Sequence, residues 1–124
     1  MPRVLITDDE ISMRSLVARA VAMDGHETVT AEDGAEALEI LTREQGAFDL
    51  LLTDIKMPVM DGIALALTVA RDFPDLTILL MTGFADQRER AHGLNAIVHD
   101  VVTKPFSVAD IRTAVADALA AKKG

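Results

Sequence analysis

The chain has no cysteine, no tryptophan and no tyrosine, and its only aromatic side chains besides histidine are four phenylalanines. Without thiols, disulfides, thiolate catalysis and Cys-ligated zinc are excluded. Without aromatic platforms, there is little from which to build a surface that stacks single-stranded bases. Positive charge is scarce as well: 12 Lys and Arg stand against 20 Asp and Glu, a net charge of −8. That balance opposes phosphate backbones, so no nucleic-acid partner is expected. No apolar run approaches the roughly 20 residues of a membrane span. The opening run Val4-Leu5-Ile6 is too short for a signal peptide. The expectation is a soluble, cytoplasmic chain that contacts neither nucleic acid nor membrane.

What remains is 124 residues, half of them hydrophobic and nearly all of those aliphatic. This suffices for one ordinary core, so a single domain over residues 1–124 is expected and disorder is not. Short β-rich runs alternate with stretches of helical period. Val4-Leu5-Ile6 precedes Met13, Leu16, Val17, Ala20 and Val21, spaced as one helix face and ended by Gly25. Thr28-Val29-Thr30-Ala31 is a more polar strand, suited to a sheet edge. Asp33 and Glu36 make a capping-box start, followed by the stripe Ala37, Leu38 and Leu41, and Gly46 closes the helix. Leu50-Leu51-Leu52 within Phe48 to Thr53 does not alternate, as in a strand covered on both faces. Ile63, Ala66, Leu67 and Ala70 mark a third helix that stops near Pro74. Ile78-Leu79-Leu80-Met81 and Val101-Val102 give two further strands, the latter beginning as early as Ile97. Ser107 and Asp110 cap a last helix with the stripe Val108, Ile111, Val115, Ala118 and Leu119. Asp86 to Gly93 reads as a helix with almost no apolar stripe, the least anchored element. Five βα units imply an α/β fold, a parallel sheet with helices on both faces.

In such sheets ligands bind beyond the carboxyl ends of the strands. Those ends carry the conspicuous polar residues: Asp8-Asp9-Glu10 after the first strand, Asp54 after the third, Thr82 after the fourth and Lys104 after the fifth. Singly each has an ordinary explanation, since an Asp at a strand end is often a helix cap. Together they deliver acids, a hydroxyl and an ammonium to one edge. Adjacent carboxylates repel unless protonated or offset by a cation. No His or Cys joins them, so the donors are all oxygen, which suits Mg²⁺, an ion that keeps waters and phosphate oxygens in its shell. Lys104 and Thr82 then suit a phosphoryl group. Gly83 leaves access.

At these residues the chain resembles the response regulator receiver domains of two-component signalling, the CheY-like family. The likeness runs through Asp8-Asp9, Thr53-Asp54-Ile55-Lys56-Met57-Pro58-Val59-Met60-Asp61-Gly62, Thr82-Gly83 and Lys104-Pro105-Phe106. It implies a flavodoxin-like (βα)5 sandwich of strand order 2-1-3-4-5. It also implies Asp54 as phosphoacceptor, Asp8, Asp9, Asp54 and the backbone carbonyl of Lys56 as ligands of Mg²⁺ (or Mn²⁺), Thr82 as switch hydroxyl, Lys104 as phosphoryl-binding lysine, and a cis Lys104–Pro105 bond. The implied partners are a histidine kinase or histidine phosphotransferase and a downstream effector protein. Such a domain catalyses only its own phosphorylation and slow dephosphorylation and is otherwise no enzyme. Many receivers carry Tyr or Phe three residues before the motif lysine; here Val101 stands there, which shifts any surface change to the backbone from Thr82 to Leu94. Phe84, Leu65 and Leu94 are apolar candidates for the partner surface. Met81-Thr82-Gly83-Phe84-Ala85 and Met60-Asp61-Gly62-Ile63 are similar to stand-alone CpdR-type regulators, which implies an adaptor for a ClpXP protease. An aspartyl-phosphate phosphohydrolase of the haloacid dehalogenase type is disfavoured by Lys56, which stands where its second acid belongs. A flavin carrier lacks the Trp and Tyr to cover the ring. His26, His92 and His99 read as ordinary surface or packing residues.

Overall fold

The runs Val4-Leu5-Ile6, Leu50-Leu51-Leu52 and Ile78-Leu79-Leu80-Met81 form the three central strands of a parallel sheet. The computed structural model describes residues 1–83, 91 and 93–123, with side chains as far as Ala121. In chain order the elements are β1 (Arg3–Thr7), α1 (Ile11–Ala22), β2 (Glu27–Ala31), α2 (Gly34–Arg43), β3 (Leu50–Asp54), α3 (Gly62–Asp72), β4 (Thr77–Thr82), β5 (Asp100–Thr103) and α4 (Val108–Lys123). The sheet order is β2-β1-β3-β4-β5, every pairing parallel. This is the flavodoxin-like order that the resemblance implied. The helix expected over Asp86 to Gly93, like Phe84 and His92, lies outside the described residues apart from Ala91 and Gly93.

The lack of alternation has a direct cause. Successive strand residues point to opposite faces, and here both faces are roofed. Leu5, Leu51, Ile78 and Leu80 pack with Ala37, Leu41, Leu65, Ala66 and Val69 of α2 and α3. Val4, Ile6, Leu50, Leu52, Leu79 and Met81 pack with Val17, Ala20, Ile111, Val115 and Ala118 of α1 and α4. The polar strand β2 lies at an edge, as its composition indicates.

The helix boundaries follow local chemistry. Asp33 caps α2 by accepting from Glu36 N at 2.8 Å, while the Glu36 carboxylate turns back to Glu32 N at 3.1 Å. Ser107 and Asp110 cap each other at the start of α4, with Ser107 N to Asp110 Oδ2 at 2.9 Å and Asp110 N to Ser107 Oγ at 3.0 Å. Gly25 and Gly46 have φ of +82° and +70°, values that favour glycine after a helix end.

Two sequence readings need correction in α3. Its buried side is Gly62, Ile63, Leu65, Ala66 and Val69, whereas Leu67 is 51% exposed. Leu65 is therefore core and cannot supply a partner surface. The run Ala64-Leu65-Ala66-Leu67 is apolar all round, so its period leaves the rotation of the helix undetermined. Leu94, the other described candidate, is partly buried against the same core.

Candidate functional site

The end of β1 is tied down before any acid is reached. Asp8 N donates to Ala31 O of β2 at 3.2 Å, and Asp8 Oδ1 accepts from Glu10 N at 3.0 Å. Asp8 is wholly buried, while Asp9 is exposed. Asp54 closes β3 and is 7% exposed. Ile55 N continues the sheet to Met81 O at 3.1 Å, which fixes where Asp54 leaves the strand. Thr82 ends β4 and is fully buried. Lys104 N donates to Thr82 O at 2.8 Å, bringing the end of β5 alongside. The Lys104–Pro105 bond is cis.

These elements gather the expected residues. One carboxylate oxygen from each of Asp8, Asp9 and Asp54 lies within 4.8 Å of the others. Lys104 Nζ stands 3.3 Å from Asp54 Oδ1 and 3.6 Å from Asp8 Oδ2. Asp9, Glu10, Asp54, Lys56, Gly83 and Lys104 line one open depression at this edge of the sheet. The two described histidines stand apart from it: His99 pairs with Asp117 at 2.9 Å, and His26 is half-buried beside Asp24.

Burial dominates the electrostatics. It pushes the Asp54 carboxyl up to about 6, against the opposing pull of Lys104 and with the added repulsion of Asp8. Asp8 is raised as well, again by burial first. One ammonium thus leaves the acids undercompensated. Asp8 Oδ2 is buried and accepts no hydrogen bond among the described residues. An all-oxygen set with an orphaned carboxylate oxygen and surplus negative charge fits a hard divalent cation such as Mg²⁺.

Three supporting features went unread in the sequence. Asp61 caps α3, its Oδ1 accepting from Ala64 N at 2.8 Å. Gly62 N donates to Ile55 O at 2.7 Å, and a Cβ there would fall 2.1 Å from the carbonyl oxygen of Asp54. The Asp-Gly pair therefore lets a helix start directly against the strand end that carries Asp54. The spacing of the motif was visible; this close approach was not. Third, the guanidinium of Arg14 on α1 donates from Nη1 to the main-chain oxygen of Asp8 at 2.8 Å.

A family model described as "Response regulator receiver domain" matches residues 4–116. The chain belongs to the response regulator receiver family. It is 38% identical to the response regulator receiver protein CpdR of Brucella abortus, over 90% of this chain and 91% of that protein. It is 35% identical to a probable transcriptional regulator, ycf27, of Guillardia theta, over 91% of this chain and 43% of that protein. The chain thus spans less than half the length of ycf27 and of several other curated relatives that it matches. A receiver domain protein from Clostridium thermocellum superposes with a TM-score of 0.89 at 25% identity, covering 99% of this chain and 98% of that one. Response regulator TrrA of Thermotoga maritima, solved in complex with Mg²⁺ and BeF, gives a TM-score of 0.83 at 30% identity, covering 94% and 98%. Receiver domains bind Mg²⁺, and the acidic cluster of this receiver has the composition for it. No helix among its described residues is long and apolar enough to cross a membrane.

Proposed function

We propose that residues 1–124 act as a receiver that takes a phosphoryl group on Asp54 from a phosphohistidine of a histidine kinase or histidine phosphotransferase. One observation carries this reading: the carboxylates of Asp8 and Asp9, just after β1, and of Asp54, at the end of β3, meet within 4.8 Å, and Lys104 Nζ lies 3.3 Å from Asp54. A carboxylate oxygen of Asp54 attacks the phosphorus, the new O–P bond forming as the N–P bond of the donor histidine breaks. Asp54 must be ionised to do so, and Lys104 favours that form. The Lys104 ammonium and the Thr82 hydroxyl then hold phosphoryl oxygens. Asp8, Asp9, Asp54 and the carbonyl of Lys56 would hold Mg²⁺ (or Mn²⁺). When bound, the ion offsets charge on the transferring group, so that catalysis is positioning plus electrostatics. Water later hydrolyses the acyl phosphate, returning the carboxylate. The domain turns over no separate substrate.

The output is switched binding to an effector protein in the cytoplasm. Similarity to CpdR across nine-tenths of both chains supports the finer reading, an adaptor of the CpdR type for a ClpXP-like protease whose binding changes with phosphorylation. Val101 at the position where many receivers carry an aromatic residue favours a change relayed by backbone rather than by a ring.

Incubation with acetyl phosphate and Mg²⁺ should add one phosphoryl group by intact mass, and Asp54→Ala should add none. Phosphate on the Ala variant, or no dependence on a divalent ion, would overturn the assignment. A pull-down with Asp54→Ala against wild type charged with beryllofluoride identifies which form binds the effector. Equal recovery of every partner by both would count against a switch.

A further inference from the structure

The β1–α1 turn has a problem that its carboxylates do not solve for themselves. Asp8 is buried and held through its side chain, but Asp9 is exposed, so no packing fixes its direction. What aims Asp9 is the peptide plane between Asp8 and Asp9, because rotating that plane swings the Asp9 Cα–Cβ bond. The oxygen of this plane is Asp8 O, and the donor at 2.8 Å is Arg14 Nη1. Arg14 lies in the first turn of α1, where its backbone N–H is also bound, to Glu10 O at 2.9 Å. The planar guanidinium is therefore anchored at its root and bonded at its tip. Among the described residues, no carboxylate forms an ion pair with it. Its charge is committed to a neutral carbonyl beside three acids, and a charge-assisted bond there is stronger than one between neutral groups.

We infer that Arg14 is a positioning residue: it clamps the Asp8 carbonyl and so holds Asp8 and Asp9 in the geometry that binds a divalent cation. The inference rests on the proposed Mg²⁺ site. Residues that orient metal ligands from behind change affinity by roughly 10–100-fold when removed. Arg14→Met keeps the aliphatic packing and removes donor and charge. Arg14→Lys keeps a charged donor on a stem of similar reach.

The test is a Mg²⁺ titration of wild type, Arg14→Met and Arg14→Lys, followed by backbone amide chemical shifts of the metal-free proteins, with unfolding measured in EDTA. Arg14→Met should bind Mg²⁺ about tenfold more weakly, Arg14→Lys should recover most of the loss, and stability in EDTA should barely change. The weak variant should also reach the wild-type rate of labelling by acetyl phosphate once Mg²⁺ is saturating. Affinity within twofold of wild type for Arg14→Met would overturn the inference while leaving the metal site standing. So would equal weakening in both variants with a parallel loss of stability, which marks a merely structural arginine. If wild type itself binds no Mg²⁺, the functional reading and this inference both fail. Should Arg14→Met not fold, Arg14→Gln serves in its place with the same expectation.

Discussion

Asp54 is the residue at which burial and charge oppose each other most directly. The folded protein holds its proton up to about pH 6, while the ordinary carboxylate value is 3.8. The group therefore favours the folded state at low pH, and that advantage is lost as pH rises through about 6. Metal-free Asp54→Asn should accordingly be more stable than wild type at pH 7, by about 3 kcal/mol. The gap should close towards pH 4. Denaturant melts in EDTA at the two pH values test this, and a variant less stable at pH 7 would refute it. Thr7 presents a second local conflict. Its hydroxyl is fully buried at the end of β1 with no hydrogen-bond partner among the described residues. Thr7→Val keeps the shape and removes the orphan, so it should stabilise by about 1 kcal/mol. A loss of stability would mean that the hydroxyl satisfies something beyond the protein atoms, such as a buried water.

At the scale of elements, the link between β3 and α3 sets how closely the helix approaches the strand end that carries Asp54. Gly62 has no room for a Cβ, since backbone of Asp54 and Ile55 fills the space. Gly62→Ala must push the first turn of α3 away from the strand end. It should lower stability by about 3 kcal/mol and slow labelling by acetyl phosphate even where folding is complete. Wild-type labelling would show that the close approach is incidental. Four residues earlier the Pro58-Val59 link carries the opposite signature: Val59 is 85% exposed yet adopts φ +68°, a region that β-branched residues avoid. Val59→Asn should relieve that strain and raise the denaturation midpoint, with a gain of about 1 kcal/mol. A drop would show that contacts of the Val side chain outweigh the backbone cost.

For the whole molecule, the relevant balance is charge. A net of −8 includes three acids that converge on one edge, an oxygen donor set that only the folded chain assembles. Mg²⁺ should therefore raise the melting temperature by mass action, continuing to climb with concentration above that of matched monovalent salt. At ten times the dissociation constant the gain is about 1.4 kcal/mol. Asp9→Asn should blunt the response. An identical shift in that variant would reduce the effect to general screening.

The strands, their order of burial and the acids at their ends were legible because each depends on neighbours in sequence. A run such as Leu50-Leu51-Leu52 has few options other than a strand covered twice, and Asp33 or Ser107 caps a helix from three residues away. The rotation of α3 was not legible: with Ala64, Leu65, Ala66 and Leu67 all apolar, the pattern fits more than one face, and it is the packing of the helix on the sheet that buries Leu65 and leaves Leu67 outside. Nor could the sequence connect Arg14 to Asp8, because that bond depends on where α1 starts relative to the strand it follows. Residue types and spacing fixed which groups reach the carboxyl edge. Tertiary structure alone fixed their separations, and with them the burial that raises Asp54 and the orphaned oxygen of Asp8.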